Sequence, residues 1–285
     1  MQRDLLKLLK LLFVLLFPFK SAIAASQEEI DAYPEFAEKL EAEGYNWETH
    51  KIKTEEGWYL MAVRIMPQEG AKDPDKLPLL LVHGSFDSAI GYISRAEKGW
   101  ALFMPELGYD VWVLNSRGVK YSDKNERDGE WTLKEKWNFS WADMGIYDLP
   151  ATIDYITEET GSPKVTVLAH SQGTSQMLYG MSHKQDYFAE KVERFVALAA
   201  CTAPELYPFL PLSYNGLVSM FVKADEFGYY NIFGSDESTA DIFRFLCDVI
   251  DDSPLYCISA NYIVPYIGGP PAGGAQSTRA LLHYV

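Results

Sequence analysis

Ser171 sits in the pentapeptide Ala169-His170-Ser171-Gln172-Gly173, between two small residues, where a short apolar run stops abruptly. A serine placed in this way can attack a carbonyl carbon. A nucleophile elbow holds its serine in a strained backbone position between a parallel strand and a helix, so the residues two before and two after must be small. Ala169 stands where the G-x-S-x-G pattern has its first glycine, and alanine is the next smallest side chain. His83-Gly84-Ser85 offers the complementary chemistry. The backbone N–H groups of Ser85 and Gln172 would be the two donors of an oxyanion hole. Gly84, without a Cβ, lets its loop come close to the reacting carbonyl. Each motif also has a purely structural reading, as a strand-to-helix loop at Ser171 and a glycine turn at Gly84.

These residues need particular elements to position them. Val165, Val167 and Leu168 read as a strand buried on both faces, Ala169 to Gly173 as a turn, and Thr174 to His183 as a helix carrying Met177, Leu178 and Met181. Leu77 to Val82 is an uninterrupted apolar run, which predicts a central parallel strand delivering His83. His50 to Thr54 and Trp58 to Met66, joined by Glu55-Glu56-Gly57, predict a hairpin. Further strands are predicted over Tyr109 to Leu114 and Phe195 to Ala200. Asp148 to Thr160 reads as a helix with Leu149, Ile153 and Ile156 on one face and Gly161 beyond its end. Strands alternating with helices imply a mostly parallel sheet with right-handed crossovers. Trp131, Trp137 and Trp141 read as packing residues. After Cys201 the pattern changes to apolar helices and loops, over Leu206 to Leu212, Leu217 to Val222 and Ile242 to Ile250. Such a region suits a cap over the nucleophile, apolar because acyl chains must leave water; the plainer reading is another helical layer of the core.

The 285 residues divide into a leader (1–25), an α/β core (26–200) and a helical cap (201–285). Arg3, Lys7 and Lys10 precede the apolar run Leu11 to Phe17, and Ala22-Ile23-Ala24 supplies small residues for cleavage, the pattern of a secretory signal peptide. That run is too short to span a bilayer and Pro18 interrupts it, so entry to the secretory route without a transmembrane segment is expected. Removing the leader takes away four cations and one anion and moves the net charge from −15 to −18. An acidic chain of this kind is a poor partner for nucleic acid. Of the three cysteines, Cys247 and Cys257 are spaced to close a disulfide loop worth about 3 kcal/mol, with Cys201 left free or buried. No histidine lies at zinc-ligand spacing from them, and no metal or organic cofactor is implied. Asn138-Phe139-Ser140 is a glycan acceptor triplet, but it opens a segment that reads as packed, and a glycan is not expected on it.

Taken together the segments resemble the acid lipase family, the lineage of gastric and lysosomal acid lipases. The resemblance covers nearly all of the chain after the leader. It runs through Tyr33 to Glu35, Gly44-Tyr45, Thr54 to Leu60, Leu79 to Ser88 and Leu107 to Gly118. It is strongest in Phe139 to Ile156 and Ala169 to Ser175, and returns in Pro271 to Tyr284. It implies an α/β-hydrolase fold with a helical cap inserted after the sixth strand, Ser171 as nucleophile, and Ser85 and Gln172 as oxyanion donors. It further implies a cap disulfide at Cys247 and Cys257, and neutral lipid esters such as triacylglycerols or steryl esters taken from a lipid–water interface. Ser85 departs from the leucine of the mammalian members. In that family the acid and the histidine of the triad follow the cap on two further strands, which this sequence does not reach, so little turnover is expected of the 285 residues as they stand. The order Ser, Asp, His can be written with Asp225, Asp241, Asp248, Asp251 or Asp252 and His283. His283, however, aligns with a cap histidine of the family, and His83 and His170 read as architectural. Two alternatives follow, a catalytically incomplete lipid-binding protein and a fragment of a longer lipase.

Overall fold

The computed structural model describes residues 27–67, 71–85, 87–93, 99–201 and the short stretches 222, 225–226, 228, 230–232 and 276–277. The leader, Cys247, Cys257, His283 and nearly all of the cap lie outside them. Helices α1 (Gln27–Ala32) and α2 (Pro34–Ala42) come first, the second opening on Pro34, whose missing N–H costs nothing in a first helical turn. Strands β1 (Asn46–Lys53) and β2 (Trp58–Met66) form the expected hairpin, paired Lys53 with Tyr59, and Gly57 takes the positive φ of 81° that its turn requires. Then follow β3 (Leu79–Val82), α3 (Ala89–Ile93), α4 (Trp100–Glu106), β4 (Val111–Asn115), β5 (Lys124–Asn125), α5 (Leu133–Lys136) and α6 (Trp141–Asp143). A single π-helical turn, Met144–Asp148, leads into α7 (Leu149–Thr160), and β6 (Val165–His170), α8 (Gln172–His183), α9 (Gln185–Lys191) and β7 (Val192–Leu198) complete the core.

The sheet runs β1-β2-β4-β3-β6-β7, with β5 added beside β2. Pairing is parallel between β4, β3, β6 and β7 and antiparallel on both sides of β2, so along this path β2 alone opposes the common direction. Apolar runs rather than alternation mark β3 and β4 because both faces are covered. Leu80, Val82, Trp112 and Leu114 face Leu149, Ile153 and Ile156 of α7 and Met177 of α8. Leu79, Leu81, Val111 and Val113 face the other way, toward Phe36 and Leu40 of α2, Ile93 and Leu102. Trp137 is buried in the first of these layers and Trp131 and Trp141 pack against it.

β1 and β7 start earlier than the sequence reading, at Asn46 and Val192, and three further differences stand out. β6 extends through His170 and α8 starts at Gln172, so the reversal expected over Ala169 to Gly173 happens at Ser171 alone. β7 ends at Leu198 rather than Ala200 because Ala199 has φ 49°. Asn231–Ile232 pair antiparallel with Gln276–Ser277, a short bridge where only helices and loops were expected. Gly161 closes α7 at φ 67° in the left-handed region, as predicted.

On the outer end of the sheet, Arg64 binds Asp110 through two hydrogen bonds of 2.8 and 2.6 Å and Glu48 through one of 2.9 Å. Glu48 also meets His50 Nε2 at 3.1 Å, and this contact, ahead of Arg64, holds the carboxyl down at about 2. A depressed carboxyl stabilises the fold above its unfolded value near 4.5, and that contribution drains away as pH falls from there toward 2. Glu48→Gln is therefore expected to lose on the order of 2 kcal/mol at pH 6, after allowance for solvent screening, and much less near pH 2. Urea unfolding across that range checks this, and an equal loss at both ends would contradict it.

Candidate active site

Ser171 occupies the one-residue reversal between β6 and α8, with φ 49° and ψ −118°. For a side chain with a Cβ this is a strained conformation, and the surrounding contacts enforce it. Ser171 N–H donates to Leu198 O at the end of β7 (3.0 Å), and Thr174 N–H returns to Ser171 O (2.9 Å). The Thr174 hydroxyl also donates to Ser171 O (2.5 Å) while accepting from Cys201 N–H (2.8 Å), and Ser175 Oγ donates to Cys201 O (2.7 Å). The strand exit and the first helical turn are thus stitched together. Cys201 is half-buried here and forms no disulfide among the described residues.

The small residues of the motif have measurable causes. A Cβ added to Gly173 would lie 2.7 Å from Val82 O and 2.9 Å from His83 O, inside the contact limit of two backbone carbonyls. One added to Gly84 would come 3.0 Å from Ser171 Cβ and 3.1 Å from His170 Nδ1. Ala169 is fully buried beside Val82 in the register of β3 and β6. Gly84 and Ser171 therefore approach as closely as two backbones with one side chain between them allow.

Ser171 heads α8 without capping it, so its hydroxyl is not spent on the helix. Among the described residues, neither the Ser85 N–H nor the Gln172 N–H donates to a protein acceptor. Two orphan donors at the positive end of a twelve-residue helix and its facing loop suit a developing oxyanion. A side-chain bond joins the two donor residues, Ser85 Oγ to Gln172 Oε1 at 2.5 Å, across 87 positions of sequence. Gln172 is buried, and its Nε2 reaches Met144 Sδ at 3.7 Å, as does Gln176 Nε2 at 3.2 Å.

His83 is buried, and burial pushes its imidazole below the ordinary value. Its Nδ1 can only donate to Gly84 O (2.8 Å), which leaves Nε2 to accept from Ser116 N–H (3.2 Å). Both nitrogens of a neutral ring are thus used in fixing the Gly84 loop to the end of β4, and neither is left to take a proton from Ser171. His170 is exposed on the strand side of the turn, and His183 stacks on Tyr179 at the far end of α8. Among the described residues no histidine or carboxylate bonds the Ser171 hydroxyl.

A family model described as alpha/beta hydrolase fold matches residues 77–256, and one described as a partial alpha/beta-hydrolase lipase region matches residues 36–96. The chain belongs to the α/β-hydrolase family. Lipase 1 of Drosophila melanogaster is 33% identical to this chain over 226 residues, 77% of this chain and 47% of that protein. Gastric triacylglycerol lipase of Mus musculus is 32% identical over 257 residues, 85% of this chain and 64% of that protein. Sterol esterase 2 of Saccharomyces cerevisiae is 29% identical over 229 residues, 75% and 40% respectively. The likeness to gastric lipases expected from the sequence is borne out by these relatives, of whose lengths the chain spans 40% to 64%.

Sequence reasoning missed the support behind the elbow. The π-helical turn crosses α8 where Gly145 and Gly180 meet: a Cβ on Gly145 would lie 2.4 Å from Gln176 O, and one on Gly180 2.5 Å from Gly145 O. Two glycines at this crossing were a readable signal, since each forbids a side chain where backbones touch. That turn ends in a buried ion pair. Arg117, in the loop after β4, binds Asp148 through Nε (2.9 and 3.1 Å) and Nη2 (2.6 Å).

Proposed function

We propose that this protein is a serine ester hydrolase of neutral lipids, working through an acyl-enzyme in the secretory pathway or the lysosome. The observation that carries the reading is the one-residue elbow at Ser171, facing two unpartnered backbone donors. Ser171 Oγ attacks the ester carbonyl, the carbonyl oxygen becomes an oxyanion held by the Ser85 and Gln172 N–H groups, and the alcohol leaves. Water then releases the acid and restores the hydroxyl. A base must take the serine proton, and the family resemblance assigns that base to a histidine on a segment beyond the cap. Neutral lipid esters fit the lipases and the sterol esterase to which the chain is similar, and an apolar cap over residues 201–285 would admit their acyl chains.

The rival reading, a lipid-binding protein without turnover, draws on the absence of a base bonded to Ser171 among the described residues. One experiment separates the two. The protein isolated with its native termini is given an emulsified long-chain triacylglycerol, an emulsified steryl ester and a soluble short-chain p-nitrophenyl ester. Turnover of an emulsion, rising steeply once the ester exceeds its solubility, is the expected result. Turnover of the soluble ester alone would contradict the lipid substrate, and retention on emulsion droplets without product would favour the rival.

A further inference from the structure

We propose that Asn138 carries an N-linked glycan whose first N-acetylglucosamine lies in the cleft beside it. Asn138-Phe139-Ser140 is the sole Asn-x-Ser/Thr triplet in the sequence, and its middle residue is not proline. The packing that argues against a glycan is confined to the second and third positions. Phe139 is 3% exposed and Ser140 1%, whereas Asn138 is exposed in the loop between α5 and α6. Ser140 is buried because it caps α6: its Oγ accepts from Ala142 N–H (3.2 Å) and donates to Asp143 Oδ2 (3.1 Å). That burial arises only on folding. An acceptor triplet is modified as an extended chain, so the folded state need only leave the asparagine side chain in solvent.

The surface beside Asn138 is concave. A cleft of about 380 Å³ is lined by Asn138, Trp131, Arg127, Glu135, Lys136 and Asp143. Trp131 is half-buried, with the Arg127 guanidinium over its ring at 4.9 Å from the centroid, and the part of the indole left exposed can meet the C–H face of a pyranose, while carboxylate oxygens of Glu135 and Asp143 can accept from ring hydroxyls beside their bonds to Thr132 and Ser140. The attachment is a group transfer from a lipid-linked pyrophosphate oligosaccharide. The C1–O bond of the donor breaks, a bond forms between C1 and Asn138 Nδ2, one Nδ2 proton is released, and the lipid pyrophosphate leaves.

This proposal rests on the secretory route, and the test keeps the two apart. The whole chain is expressed in eukaryotic secretory cells twice, once with residues 1–25 and once with a proven leader in their place. The peptide spanning Asn138 is weighed before and after enzymatic deglycosylation. A glycan is expected in both, absent from Asn138→Gln and retained in Ser140→Thr, which keeps both the triplet and the cap. Unmodified Asn138 behind the proven leader would overturn the site; a glycan behind the proven leader alone would overturn the secretory reading and leave the site standing. For the cleft, enzymatic removal of all but the first sugar should leave Tm unchanged. Removal of that sugar as well should lower Tm by a few degrees, and this drop should vanish in Trp131→Ala. An equal drop in Trp131→Ala, or none in the wild type, would overturn the cleft assignment.

Discussion

Arg117→Ala is expected to destabilise the fold by about 3–5 kcal/mol, because it strands a buried carboxylate. Asp148 is fully buried and Arg117 is 1% exposed. The guanidinium makes its bonds to Asp148 from two nitrogens, reaches Glu56 Oε2 with a third (2.5 Å), and packs against the rings of Trp58, Phe139 and Tyr147 at 5.6 to 5.9 Å. Burial pushes the Asp148 carboxyl up, so its charge depends on Arg117. Without the arginine only the backbone N–H of residue 117 (3.3 Å) remains to it. An apolar pair of similar volume, Arg117→Met with Asp148→Leu, leaves no orphan charge and should cost less than half as much. Urea midpoints of the single and double variants measure both numbers, and a single-variant loss below about 1 kcal/mol would contradict the assignment. The pair ties the loop after β4 to the last residue of the π-helical turn that packs against α8.

Ser171→Ala is expected to lower kcat for ester hydrolysis by about 10⁶-fold, the scale on which a serine hydrolase loses its nucleophile. Among the described residues, no other single change at this site should approach that. One oxyanion donor is worth about 10²- to 10³-fold, and both donors here are backbone groups that side-chain truncation leaves in place. Alanine at 171 keeps a Cβ where Ser171 has one, so the fold should persist and the loss should appear in kcat. A variant retaining a tenth of the wild-type rate would end the nucleophile assignment.

Much of this layout was legible because it is written locally. The apolar run before Ser171 and the small residues around it mark an elbow. Gly57 and Gly161 mark turns that need positive φ, and the alternation of apolar runs with helical periodicity gives a parallel sheet. What stayed hidden depends on residues distant in sequence. The Ser85–Gln172 bond spans 87 positions and the Arg117–Asp148 pair 31, and nothing in either pair's own neighbourhood announces its partner. The compression of the turn to Ser171 alone was missed because His170 reads as a polar loop residue. In the fold it is the exposed last residue of β6 and pairs in register with Leu198. The π-helical turn was missed because Asp148 reads as the start of a helix by its acidic character, whereas it is buried against Arg117.

The central claim is that Ser171, held in a strained elbow before two free backbone donors, is the nucleophile. Its most direct test is covalent. The protein isolated with its native termini is treated with an alkyl phosphonofluoridate, digested with trypsin and sequenced by mass spectrometry. The peptide Val165 to Lys184 also contains Ser175 and Ser182, so fragmentation locates the adduct. The account predicts one phosphonyl group on Ser171, abolished in Ser171→Ala and appearing in step with loss of ester turnover. An adduct on Ser175 or Ser182, or turnover that persists while Ser171 is fully phosphonylated, would contradict it.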